Sequence, residues 1–155
     1  MAARKYFSEL DRARARPDAA NLCSQLKAYE DYQSTDAFDW PEEFADDFGE
    51  ILDSHWQDVE KALAYVVLGA AQSDDASFVS GLGCGTLEDL LDRPSDAFIQ
   101  RIVTEARRSP RFRWMLSCPF KVAVSNETWT AIEPFRITGP HEEPPHDTMP
   151  EEYFG

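Results

Sequence analysis

What is scarce in this chain excludes much chemistry before any motif is read. Among 155 residues there are three cysteines and three histidines. Cys23, Cys84 and Cys118 are odd in number and far apart, which argues against a disulfide framework and against a Cys-x-x-Cys metal knuckle. Zinc needs three or four ligands on a rigid frame, and His141 and His146 lie in a Pro-rich stretch. No metal and no cofactor is therefore expected. No run approaches the roughly 20 apolar residues of a membrane span, so no membrane association is expected. Arg4 and Lys5 are not followed by an apolar segment of signal-peptide type, which makes the cytoplasm the expected location. Positive charge is scarce too: 15 Lys and Arg face 29 Asp and Glu, a net charge of −14. Binding through nucleic-acid phosphates needs a basic surface, so nucleic acid is not an expected partner.

What is present is helix patterning. The length suits one domain, able to bury roughly 68–70% of its unfolded surface. Tyr6, Phe7, Leu10 and Ala13 stripe a first helix over 3–16, and Leu22, Cys23, Leu26 and Tyr29 stripe a second over 19–32. After a linker at 33–40, Trp40-Pro41-Glu42 opens a third helix reaching about His55. Phe44, Phe48, Ile51, Leu52 and His55 repeat there at helical spacing. Gly49 inside it marks a close packing point or a break. From Ala62 to Ala71 no residue is charged, so the helix expected over 57–72 is apolar all round and central.

Further on, Asp74 or Asp75 caps a short helix through Phe78 and Val79. Thr86, with Asp89 three residues later, reads as the cap of another, stopped by Pro94. Ser95 caps the next, with Phe98, Ile99, Ile102, Val103 and Ala106 on one face. Ser109-Pro110 starts one more. Phe120 to Val124 is a candidate extended segment, and Ser125 or Asn126 caps a last helix carrying Trp129 and Ile132. The expected fold class is all-α: a single-domain bundle of about eight short helices over 1–137, or helical hairpins stacked in series. Residues 138–155 hold five acids, no Lys or Arg and four prolines. That composition predicts an acidic, Pro-rich, disordered tail.

The run Gly85-x-Leu87-Glu88-Asp89-Leu90-Leu91, then Phe98-Ile99-x-Arg101, then Ala106-Arg107-Arg108-x-Pro110-Arg111-Phe112-Arg113 resembles a bacterial family of small proteins of unknown function. The resemblance covers roughly residues 60–132. Cys84-Gly85-Thr86 stands where the family pattern has Ala-Gly-Pro, and Phe120 where it has Trp. It implies an all-α fold and a bacterial origin, and no reaction.

Charge is sorted along the chain. Between Glu30 and Glu60 there are twelve Asp or Glu and no Lys or Arg, whereas Arg101–Arg113 carries five Arg against Glu105. The acidic block is either a solvated face or a docking surface for a basic partner. The arginine cluster either pairs within the fold or binds an anion. A Cys84–His55 nucleophile pair is the enzyme alternative, with the many carboxylate pairs as another. The function expected is a non-catalytic protein-binding module. Its most specific form is an immunity protein that binds and occludes a cognate basic toxin acting on nucleic acid or nucleotides. A helical adaptor with another partner is the runner-up. The residues expected to meet the partner are Asp36, Asp39, Glu43, Asp46, Asp47, Glu50 and Asp53.

Overall fold

Five of the helices here start where a short polar side chain meets an N–H that the first turn leaves unpaired. The structure is a computed structural model that describes residues 7–33 and 44–154, the side chains of 44–47 excepted. Ser8 accepts from the Asp11 N–H at 3.1 Å and opens α1 (Glu9–Arg14). Helix α2 (Ala19–Gln33) follows Asp18, whose carboxylate holds Arg16 at 2.8 Å. Helix α3 (Phe44–Leu52) ends at Asp53, and α4 (Ser54–Gln57) begins there. Asp58 accepts from the Glu60 and Lys61 N–H groups and opens α5 (Val59–Gln72). Asp75 caps α6 (Ala76–Leu82) in the same way.

From α6 the chain winds through a π-helical turn at Gly83–Leu87 straight into α7 (Glu88–Leu90). Thr86 is buried inside that turn and caps nothing, which corrects the expected start there. Ser95 opens α8 (Asp96–Arg108) and Ser109 opens α9 (Pro110–Leu116), each through its own hydroxyl. Residues Lys121–Ala123 form a 3-10 turn, not an extended segment, and α10 (Asn126–Ile132) follows Ser125. Among the described residues there is no strand, and the fold is all-α around one core.

Helix α5 is the centre of that core: every residue from Ala62 to Ala70 is buried. Helices α1, α2, α4, α6 and α9 all pack on it. A Cβ added at Gly69 would lie 2.4 Å from Leu82 Cδ1 and 3.4 Å from Leu26 Cδ2. The close approach of α2, α5 and α6 therefore falls at Gly69. Among the described residues a Cβ at Gly49 would meet only Asp53, at 3.8 Å, and the break in the third helix comes at Asp53 instead.

The arginine cluster is built into the fold. Arg101 holds Glu9 and Glu60, tying α8 to α1 and α5. Arg107 lies over the Phe135 ring, Arg108 donates to the Phe7 carbonyl, and Arg113 donates to the Phe135 carbonyl at 2.8 Å. Arg111 is only 2% exposed. It donates to the carbonyls of Ala70, Ser73, Pro150 and Glu151 and faces Asp74.

Two of those carbonyls belong to the segment expected to be a disordered tail. Residues 138–154 instead form a strap laid over α6, α8 and α9. Tyr153 is buried and donates to Glu105 at 2.6 Å, and Ser109 donates to the Tyr153 carbonyl. Trp114 Nε1 donates to Thr148 at 3.1 Å. Arg136 donates to the carbonyls of Gly139 and Glu142. The expectation failed because composition records side chains. This strap is held largely by its backbone carbonyls, which satisfy buried arginines that would otherwise lack acceptors.

Candidate functional site

A groove of about 910 Å³ opens where α4, α7, the start of α8 and the 3-10 turn at Lys121–Ala123 come together. Its floor is apolar, from the buried side chains of Leu90, Phe98 and Val124. Its lips carry three exposed apolar side chains, Trp56 at 81%, Val122 at 82% and Val59 at 46% exposure. Among the described residues its rim carries Glu88, Asp89 and Asp92 against a single guanidinium, that of Arg93. A neighbouring depression of about 440 Å³ shares Arg93, Pro94 and Ser125 with it and reaches Glu127.

Local structure sets these side chains. The π turn ends at Leu87, and α7 then presents Asp89 toward His55 of α4. Glu88 accepts from the Phe120 N–H at 3.2 Å, which fixes the turn beyond it. His55 Nδ1 stands 3.6 Å from Asp89 Oδ2, an ion-pair distance but too long for a hydrogen bond. The His55 ring also leans on Trp56, with ring centroids 5.0 Å apart. Burial pushes the carboxyls of Glu88 and Asp89 up from their ordinary range.

The residues expected to meet a partner are distributed differently. Asp36, Asp39 and Glu43 lie outside the described residues, as does the expected linker at 33–40 apart from Gln33, which ends α2; Asp46 and Asp47 lie on α3, with their side chains outside the description. Glu50 is exposed but engaged within the fold, accepting from Gln25 at 2.8 Å and from Lys61 at 3.4 Å. Asp53 is exposed at the α3–α4 break. Other members of the acidic block serve the fold too: Glu30 accepts from Ser73, Asp58 caps α5, and Glu60 holds Arg101.

The proposed thiol–imidazole pair is not assembled. His55 faces Asp89, whereas Cys84 Sγ lies 3.1 Å from Glu143 Oε1 as its donor. Sequence reasoning missed the groove itself. Its one sequence signal was Trp56 just outside an apolar stripe, beside His55.

Residues 28–139 match a family described as a family of unknown function, DUF6869. The chain belongs to that family. The match extends beyond 60–132 on both sides and spans the groove, the arginine cluster and the start of the strap. No curated protein and no solved structure matches the chain. Among the described residues no helix is long and apolar enough to cross a membrane.

Proposed function

We propose that this chain is a non-catalytic, acidic protein-binding module that seats a basic segment of a partner protein in the groove between α4, α7 and α8. One observation carries the reading: an apolar floor between exposed Trp56 and Val122, rimmed by three carboxylates. Exposed tryptophans beside such floors are frequent anchors of binding energy. Carboxylates on the rim favour Lys or Arg flanking the partner's apolar anchor, and the net charge of −14 steers such a partner from a distance. The finer form of the proposal is an immunity protein that occludes a cognate basic toxin acting on nucleic acid or nucleotides. Small size and acidity support it. A thiol enzyme is the weaker reading, since Cys118, burial and Glu143 all push the Cys84 thiol up, opposite to the activation a nucleophile needs.

Tagged protein co-expressed with the product of its adjacent reading frame tests this. The expected outcome is a stoichiometric complex that weakens at high salt. Trp56→Ala raises Kd about 30-fold or more, which corresponds to the roughly 2 kcal/mol of an anchor residue. Asp89→Lys with Asp92→Lys slows association. Relief of the neighbour's toxicity supports the immunity form, and binding without relief the adaptor form. No complex at either salt overturns the proposal. Loss of binding on reversing Asp46, Asp47 and Glu50, with the groove variants unaffected, moves the docking face to α3.

A further inference from the structure

On the other side of the π turn, three residues far apart in the chain converge. The sulfurs of Cys84 and Cys118 and a carboxylate oxygen of Glu143 all lie within 4.8 Å of one another. We propose that Cys84, Cys118 and Glu143 bind a thiophilic divalent cation, zinc in the first place, and that this ion clamps the C-terminal strap to the junction of α6 and α9.

Each ligand comes from a different part of the fold, and each is positioned. Cys84 is the second residue of the π turn, a kind of helix distortion that recurs at functional sites. Cys118 is buried just beyond α9, where its N–H bonds the Met115 carbonyl at 3.0 Å. Gly83 lets these two segments meet: a Cβ there would lie 2.9 Å from the Cys118 Cβ and 2.8 Å from the Met115 carbonyl oxygen. Glu143 belongs to the strap. It already accepts from Ser80 of α6 at 2.7 Å and from Cys84, so its carboxylate is oriented before any ion arrives.

The spacing and the charge both suit zinc. A tetrahedral zinc holds sulfur and oxygen ligands at about 2.0–2.3 Å, so the ligand atoms stand roughly 3.5–4 Å apart. Closing this cluster takes shifts of about 1 Å or less. Two thiolates and one carboxylate carry three negative charges, and a divalent ion leaves one. Arg136 compensates it. It is 9% exposed, its guanidinium is close enough to both sulfurs to interact with them electrostatically, and its Nε has no hydrogen-bond partner. Binding releases the two thiol protons to solvent, and the charges then balance. The partial exposure of Cys84 and the exposure of Glu143 leave the fourth position to water.

Cobalt(II) titration of the reduced full-length chain tests the proposal, because thiolate ligation gives a charge-transfer absorption. The expected result is saturation at one cobalt per chain, displacement by zinc, release of two protons, and a higher Tm. Cys84→Ser removes the band. Glu143→Gln keeps thiolate absorption but weakens affinity by more than the roughly 10–100-fold expected for losing an outer partner, and Ser80→Ala costs about that 10–100-fold. Glu143 is exposed and Ser80 is buried, and circular dichroism checks that the variants fold. Three outcomes overturn the proposal: no band with folded protein, a band that survives Cys84→Ser, or a Cys84–Cys118 disulfide under mild oxidation with no metal uptake by the reduced chain.

Discussion

Gly81 and Gly83 lie two residues apart in one helical run, yet a methyl group would meet different surroundings at each. At Gly81 an added Cβ finds nothing within 4 Å. Alanine there restricts the unfolded chain and suits α6, so Gly81→Ala stabilises by about 0.5–1 kcal/mol. At Gly83 the same Cβ meets the Met115 carbonyl and the Cys118 Cβ below 3.0 Å, and neither moves without moving the end of α9. Overpacking of that kind costs about 1–3 kcal/mol and outweighs the propensity gain. Gly83→Ala should therefore lose about 1–2 kcal/mol by urea denaturation, with Tm falling by roughly 2–8 °C. It should also weaken cobalt uptake, because Cys118 is displaced. Stabilisation by both variants would mean that the approach of the π turn to α9 is looser than described.

At the scale of elements, the strap at 138–154 makes the sharpest test. Truncation after Ile137 removes the Pro150 and Glu151 carbonyls from buried Arg111 and the Tyr153 hydroxyl from buried Glu105. Buried groups stripped of partners cost about 1–3 kcal/mol each, so the truncation should cost more than about 3 kcal/mol. A free tail would cost nothing. Should the truncated chain fail to fold, Tyr153→Phe provides the graded version, expected to lose about 1–2 kcal/mol while the Glu9 and Leu10 N–H groups still hold Glu105. The same element shows which features a sequence carries. The caps at Ser95, Ser109 and Asp75 and the wholly buried run of α5 were legible, because each is a pattern within a few turns of helix. The strap was not, because no composition records carbonyls waiting for Arg111 and Arg136. The π turn was hidden behind a plausible cap at Thr86. The groove needs α4, α7, α8 and a distant turn to meet. The acids of Glu30–Glu60 looked like one face, but Glu30, Glu50, Asp58 and Glu60 are bound to separate partners within the fold.

For the whole molecule, the carboxyl groups divide into two sets with opposite consequences for pH. Burial pushes Glu105, Glu88 and Asp89 up. Hydrogen bonds hold Asp18 down through Arg16, Glu60 through Arg101, and Glu143 through Ser80 and Cys84. For the raised set, the unfolded chain loses its protons first as pH increases. Between the unfolded and folded values it then binds fewer protons than the native state, and stability falls with rising pH. For the lowered set the unfolded chain binds more protons below the ordinary carboxylate range, and stability falls as pH drops through the folded values. The two limbs meet on the acid side of neutral. Self-repulsion acts in the same direction, since the charge of −14 shrinks toward the isoelectric point near 4.5. Tm should therefore rise as pH is lowered from neutral toward the ordinary carboxylate range, and fall once pH drops below that range. Glu105→Gln should flatten the neutral limb and leave the acid limb unchanged. Binding should run the other way. Glu88 and Asp89 on the groove rim take up protons in the same window above the ordinary carboxylate range, so affinity for a basic partner weakens while the fold grows more stable. Stability that climbs steadily as pH rises from the ordinary carboxylate range through neutrality would refute this assignment of the buried carboxyls.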